Sequence, residues 1–246
     1  MKLLLTSSGI TNPTIESALV DLLGKPIAEC KALIVPAGVY PFKDGAYHAW
    51  NPIAGARAKG MAQLGWKAIG LLELTALPSI ARENWVGTVE DADAILVWGG
   101  DPLFLAYWMA QSGLTDLLKT LAKPPVYVGV SAGAIATAAL FGEAYTQLPG
   151  AAGRPLHTEE IVLPEGEIKR TLVTAHGMGL TDFAIIPHFE NPNHPDASAA
   201  NAEAWAAHLP VPVYAIDEAT AVKVDNGVVD VVSEGRWTLF PPTRSL

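Results

Sequence analysis

The stretch Pro124–Leu140, PPVYVGVSAGAIATAAL, decides how this chain is read. A β-branched and aromatic run, Val126 to Val130, leads through Gly129-Val130-Ser131-Ala132-Gly133 into alanine-rich helix formers. The glycines flank a serine on a sharp strand-to-helix turn, where larger side chains would clash with a neighbouring strand or helix. In that setting Ser131 reads as an exposed nucleophile and the Ala132 N–H as an oxyanion donor. The alternative is a small residue in a tightly packed corner. The choice depends on whether the chain also supplies a base, an orienting acid and a second donor.

Outward from that turn, short apolar runs alternate with stretches of helical period. Strands are expected at residues 3–6, 32–35, 67–72, 94–98, 126–130, 183–186 and 213–216, and helices at 13–23, 53–64 and 103–121 with a break at Gly113. This βαβα rhythm predicts an α/β fold, a mostly parallel sheet with helices on both faces. The strands are apolar at nearly every position, as both-sided burial requires. Residues 142–182 are rich in Pro, Gly and charge and read as loops, with a short β-ribbon at 161–163 and 171–173. At the end, residues 221–224, 228–232 and 237–240 alternate around Asp225-Asn226-Gly227, a strong hairpin signal. No linker or internal repeat interrupts the 246 residues, which read as a single domain, 1–246.

Composition narrows the function. Sixteen Lys and Arg against 25 Asp and Glu give a formal net charge of −9, which argues against nucleic acid and anionic membranes as partners. The lone Cys30 excludes an intramolecular disulfide and metal–thiolate clusters. MKLLLTSSG is too short in its apolar part for a signal peptide, and no run approaches the ~20 apolar residues of a membrane span. The reading is a soluble cytoplasmic protein.

Among six histidines, His188 stands out because it closes the apolar strand of FAIIPHF at its carboxyl end, where parallel sheets gather their sites. A metal set of His188, His194 and Glu190 is disfavoured in so Asn/Pro-rich a loop, and neither metal nor cofactor is expected. Two acids compete to orient His188. Glu190 would share its face if that segment is extended. Glu218, in VYAIDEATAVKV, follows another apolar strand and would emerge at the same sheet edge; Asp217 would point away. The second oxyanion donor comes from AILVWGGDPLFL, where Gly99 and Gly100 end a strand and expose backbone N–H groups. A phosphate cradle is the other reading of Gly-Gly, but its spacing is wrong and Asp101 would repel phosphate. The order serine then histidine, with no HGGG-type loop before Ser131 and no C-terminal histidine, departs from the α/β-hydrolase plan.

Together and in this order, WGGDPLFL, VYVGVSAGAIATA, GLTDFAIIPHF and VYAIDEATAVKV resemble the peptidase E group, the aspartyl dipeptidase and cyanophycinase relatives of peptidase family S51. LLLTSSG and VVSEGRW extend the resemblance over nearly the whole chain. It implies a class I glutamine amidotransferase-like, flavodoxin-like three-layer sandwich and a Ser–His–Glu triad. The triad maps onto Ser131, His188 and Glu218, and the oxyanion donors onto Gly100 and Ala132. The related amidotransferases place the acid two residues after the histidine, which keeps Glu190 as the second candidate. Ser131 stands where they carry cysteine, against glutamine-dependent ammonia transfer. Aspartyl dipeptidases resemble one another in an arginine soon after the histidine motif; here residues 190–210 contain no Arg or Lys, leaving Arg154 and Arg170 as the alternatives.

The expected activity is that of a serine-type dipeptidase acting on a small peptide or amide, with Asp-X dipeptides among the candidate substrates. An esterase with the same triad and a silent small-ligand-binding relative are the rivals. Gly99, Asp101 and Tyr40 are candidates for the pocket wall, the last with His48 and Trp50 in a loop after the second strand. A homodimer through the C-terminal hairpin is the assembly this reading allows.

Overall fold

The computed structural model describes residues 1–54 and 61–242. In chain order its elements are β1 (Lys2–Thr6), α1 (Pro13–Leu23), β2 (Lys31–Val35), α2 (Gly45–Ala54), β3 (Ala68–Leu71), α3 (Val86–Glu90) and β4 (Ala94–Val97). Then come α4 (Pro102–Gln111), α5 (Leu114–Thr120), β5 (Val126–Val130), α6 (Ala132–Ile135), β6 (Leu140–Tyr145), β7 (His157–Leu163) and β8 (Ile168–His176). The chain ends with β9 (Ala184–Ile186), α7 (Ala199–Ala206), β10 (Val213–Ile216), β11 (Thr220–Asp225), β12 (Val228–Ser233) and β13 (Trp237–Phe240).

A seven-stranded sheet, in the order β12-β11-β1-β5-β4-β2-β3, forms the middle layer. Five of its strands run parallel, and β11 and β12 close one edge as an antiparallel hairpin at Asn226-Gly227. Alternation along β1, β2, β4 and β5 splits the core in two, while the edge strand β3, expected to be buried on both faces, is exposed at all four positions because no described strand pairs beyond it. Leu4, Ile34, Leu96 and Val128 face one side, with Ile15, Leu19 and Leu22 of α1. Leu3, Leu5, Val35, Val97 and Tyr127 face the other, with Leu105, Met109, Leu114 and Leu117 of α4 and α5. Each such buried side chain contributes about 1.5–3 kcal/mol, so both faces drive the fold.

Helix starts are encoded locally. Asn12 caps α1 by accepting from the Ile15 N–H at 2.9 Å, with Pro13 next, and Gly24 ends the helix at φ 71°. Asp101 caps α4 the same way through the Phe104 N–H at 2.6 Å.

Three expectations change. The helix expected at 53–64 is instead α2, beginning at Gly45, plus a single turn at Met61–Gln63, while residues 55–60 lie outside the described ones. Residues 142–182 are not mainly loops: β6, β8 and β7 form an antiparallel sheet, whose charged outward faces gave it a loop-like composition. The strands at 183–186 and 213–216 leave the main sheet. They pair with each other in parallel, and β13 joins β10 rather than the hairpin. Asp217 explains that return, because its carboxylate accepts from the Arg236 N–H while its own N–H donates to the Arg236 carbonyl.

Candidate active site

The carboxyl ends of β1, β4, β5, β9 and β10 converge on one place. Ser131 follows β5 at φ 50°, ψ −113°, a backbone conformation that non-glycine residues adopt at a cost of order 1–3 kcal/mol. Its N–H donates to the Thr6 carbonyl at 2.9 Å, and its carbonyl accepts from Ala134 and Ile135. The buried Tyr127 hydroxyl donates to the Gly133 carbonyl at 2.7 Å and braces the turn from below. Glycine is required at 133, because a Cβ there would overlap the Val97 carbonyl of the next strand.

His188 also has a positive φ, 61°. Its N–H donates to the Ser7 hydroxyl at 3.1 Å, and that hydroxyl donates to the Ile216 carbonyl at 2.7 Å. One serine at the end of β1 therefore ties the ends of β9 and β10 together. The imidazole Nε2 lies 3.1 Å from the Ser131 hydroxyl, and Nδ1 lies 2.9 Å from Glu218 Oε1. Asn191 donates its side-chain amide to the same Glu218 oxygen. Burial would push the Glu218 carboxyl up, but the hydrogen bonds from His188 and Asn191 outweigh it and hold the group below its ordinary value. The acid's backbone is latched as well: Thr11 donates to the Glu218 carbonyl at 2.6 Å and Asn12 to that of Ala219 at 2.9 Å.

Glu190 is placed differently. The segment after β9 is not extended, since His188 and Glu190 both have φ near 60°. That twist takes the Glu190 carboxylate to the Ala199 N–H and, at 3.7 Å, to Arg236. Asp217 is occupied by Ala219, Thr220 and Arg236.

Beside Ser131, Gly100 has φ 129°, and a Cβ there would overlap the Gly38 carbonyl, so only glycine fits. Among the described residues neither Gly100 nor Ala132 donates its N–H to another residue. Gly99 packs against Ser131, its ideal Cβ position lying 3.2 Å from that of the serine. Asp101 is buried and caps α4. Tyr40 is 38% exposed and donates its hydroxyl to Glu73, while His48 and Trp50 are exposed on α2; none of the three lines the cavity at Ser131.

That cavity holds about 300 Å³ and is lined by Ser131, Gly100, His188, Glu143, Arg170 and Asp196, among others. Its volume suits a small molecule of dipeptide size. A larger cleft of about 940 Å³ lies at the amino ends of the strands, among Lys2, Lys25 and Asp93, and brings no nucleophile to a base. Of the two alternative arginines, Arg170 reaches the Ser131 cavity and the exposed Arg154 does not line it. Arg170 is already paired, Nε to Asp196 at 2.6 Å. His194 stacks on His188, ring centroids 4.0 Å apart and planes 13° apart. Burial, and then the neighbouring His188, push the His194 imidazole below its ordinary value.

Ser7, Asn191, His194 and Glu143 were not legible from the sequence as parts of this site. The available signals were weak: a hydroxyl residue closing a central strand, and an asparagine three residues past His188. Chemically, an imidazole between a hydroxyl and a carboxylate can take the hydroxyl proton as the oxygen attacks a carbonyl.

No helix among the described residues is long and apolar enough to cross a membrane. None of the curated proteins compared matches the chain significantly. Two solved structures share the fold. One, from Listeria monocytogenes EGD-e and provisionally designated a peptidase E protein, has a TM-score of 0.62 at 18% identity, covering 95% of this chain and 98% of its own. The other, a peptidase from an acI-B1 Actinobacterium, has a TM-score of 0.61 at 19% identity, covering 100% and 96%. At such identities the likeness is one of fold. The model of peptidase family S51 matches residues 3–232, from β1 into β12, and the chain belongs to that family.

Proposed function

We propose that this chain is a serine peptidase cleaving very short peptides, with Ser131 as nucleophile, His188 as general base and Glu218 as the orienting acid. The observation that carries the reading is the His188 ring bridging the Ser131 hydroxyl and the Glu218 carboxylate, at 3.1 and 2.9 Å. Membership of a peptidase family supports it independently.

In this reading the Ser131 hydroxyl oxygen attacks the scissile carbonyl carbon while its proton passes to His188 Nε2. Glu218, held at Nδ1, keeps that nitrogen protonated, leaving Nε2 free to accept, and stabilises the imidazolium that forms. The negative charge on the former carbonyl oxygen meets the N–H groups of Gly100 and Ala132. Such donors are each worth roughly 10²–10³ in rate. Collapse breaks the C–N bond, and the imidazolium proton leaves with the amine. Water then attacks the serine ester with His188 again as base, releasing the acid and restoring the hydroxyl. A cavity of about 300 Å³ lies at the small end of ligand pockets, which supports action on small substrates such as short peptides.

The test is a fluorophosphonate probe. The wild-type chain is expected to label at one site and Ser131→Ala at none; labelling that persists in the variant overturns the assignment.

A further inference from the structure

Gly38 is a glycine that its own backbone does not require. It lies in the single turn Ala37–Val39 after β2, and its φ is outside the left-handed region that favours glycine. Contact explains it instead. An ideal Cβ on Gly38 would lie 2.7 Å from the Gly99 carbonyl oxygen and 3.6 Å from the Gly100 Cα, and all three residues of the turn are buried. The approach is mutual, since a Cβ on Gly100 would overlap the Gly38 carbonyl. β2 and β4 are adjacent parallel strands, so the turns that follow them lie side by side and these two glycines interlock.

What Gly38 grips is the peptide that joins Gly99 to Gly100. No described peptide bond is cis, so the Gly100 N–H points opposite to the Gly99 carbonyl. With that carbonyl turned onto Gly38, the N–H faces away from the turn after β2, and Gly100 lines the cavity beside Ser131. On the other side of Gly100, the Asp101 N–H donates to the Gly38 carbonyl at 2.7 Å. One residue therefore contacts both peptides that flank Gly100, the first through its Cα and the second through its carbonyl. Without these contacts the Gly99–Gly100 peptide would be loose, because neither residue carries a Cβ to restrict rotation about it. Turned over, it would present a carbonyl oxygen where negative charge develops, replacing an attraction by a repulsion.

The turn that carries Gly38 is itself braced. The Tyr40 N–H donates to the Ala37 carbonyl at 3.3 Å, and the Tyr40 hydroxyl donates to Glu73, just past β3, at 2.5 Å. Glu73 is fixed in turn by the Thr75 N–H and hydroxyl, at 3.2 and 2.9 Å. We propose that Gly38 is the positioning residue of the oxyanion donor: pressed against the Gly99 carbonyl and bonded to the Asp101 N–H, it holds the Gly100 N–H toward the carbonyl that Ser131 attacks. Gly38 touches no reacting atom and acts through Gly99 and Gly100. This rests on the proposed serine peptidase with Gly100 as donor.

Fluorophosphonate kinetics test it, because they separate binding of the probe, KI, from the bond-forming step, kinact, in which the phosphoryl oxygen uses the same donors. In Gly38→Ala the added methyl displaces the Gly99 carbonyl. There kinact is expected to fall by about thirtyfold or more, toward the roughly 10²–10³ that a lost donor costs, with KI within about threefold. A merely structural role would lower the fraction of chain labelled at saturation and leave kinact of the labelled fraction unchanged. That result overturns the inference, and so does a rise in KI alone. If Gly38→Ala does not fold, Tyr40→Phe decides by releasing the turn from Glu73: kinact is expected to fall about three- to tenfold with KI unchanged, and a kinact within about twofold of wild type overturns the inference. A wild-type chain that does not label defeats the serine peptidase reading and this inference with it. A wild-type chain that labels, with kinact unchanged in the variant, defeats the inference alone.

Discussion

His188 and Glu218 are 30 residues apart in sequence and meet at 2.9 Å, Nδ1 to Oε1, while Glu190, two residues from the same histidine, faces away toward Ala199 and Arg236. This contrast orders two substitutions. Glu218→Gln should lower kcat by about 10²–10⁴, as loss of the acid that sets a catalytic imidazole's tautomer does elsewhere. Glu190→Gln should change kcat less than threefold. Steady-state rates on one dipeptide decide, and the reverse order would give the role to Glu190.

Ser7 is buried and bridges the His188 N–H and the Ile216 carbonyl. Ser7→Ala removes both hydrogen bonds; the Ile216 carbonyl keeps the Phe189 N–H at 3.0 Å, while the His188 N–H is left unpaired, at a cost of about 1–3 kcal/mol. Because the histidine backbone is what shifts, kcat should fall several-fold with KM little changed. A parallel rise in KM without loss of kcat would count against Ser7 as a positioning residue.

Gly100→Ala is expected to be severe. It combines φ 129° with a Cβ overlapping the Gly38 carbonyl, so the Gly99–Asp101 turn must move. A loss of roughly 2–4 kcal/mol follows from strained backbone plus the clash, lowering Tm by about 4–16 °C at this chain length. A variant with unchanged Tm would show that the turn is not held against Gly38.

Glu143 and Glu218 should pull stability in opposite directions with pH. The Glu143 carboxyl rises from 4.5 to about 8 on folding, so its proton-linked stability is present below 4.5 and lost as pH rises toward 8. Glu143→Gln should therefore raise Tm at pH 9 relative to wild type more than at pH 5. Glu218 is held below its ordinary 4.5, so its contribution is present above that value and lost as pH falls through the folded pKa. In Glu218→Gln the acid limb of the Tm–pH curve should flatten. Melting curves between pH 3 and pH 9 (values set by these two groups) check both signs.

His194 lies against the imidazole of His188 with near-parallel planes, a contact that restricts ring rotation. His194→Ala should lower kcat several-fold, and His194→Phe, which keeps a flat ring there, should recover most of it. Equal loss in both variants would assign His194 a polar rather than a stacking role.

Much of the framework was legible because its determinants are local. Apolar runs in β1, β2, β4 and β5, the glycines around Ser131 and the Asn226-Gly227 turn are each settled by residues a few positions apart. The β6–β8–β7 sheet was not legible, because strands with one charged, solvated face read like loops in composition. It supplies Glu143 and Arg170, so the chemistry of the cavity wall was hidden with it.

From the sequence alone, the serine on its strand-to-helix turn, the glycine pair after a strand and a histidine at a strand end could be placed, since each depends on backbone geometry that adjacent residues impose. Only the tertiary structure decided which carboxylate faces His188 and how the charges around Ser131 balance. The first depends on two positive φ values, at His188 and Glu190, and on hydrogen bonds to Ser7 and from Thr11 and Asn12 across some 180 to 210 residues of chain; the second depends on β6 and β8 packing beside the serine. Contacts between elements so far apart are set by packing, and no local pattern in the chain records them.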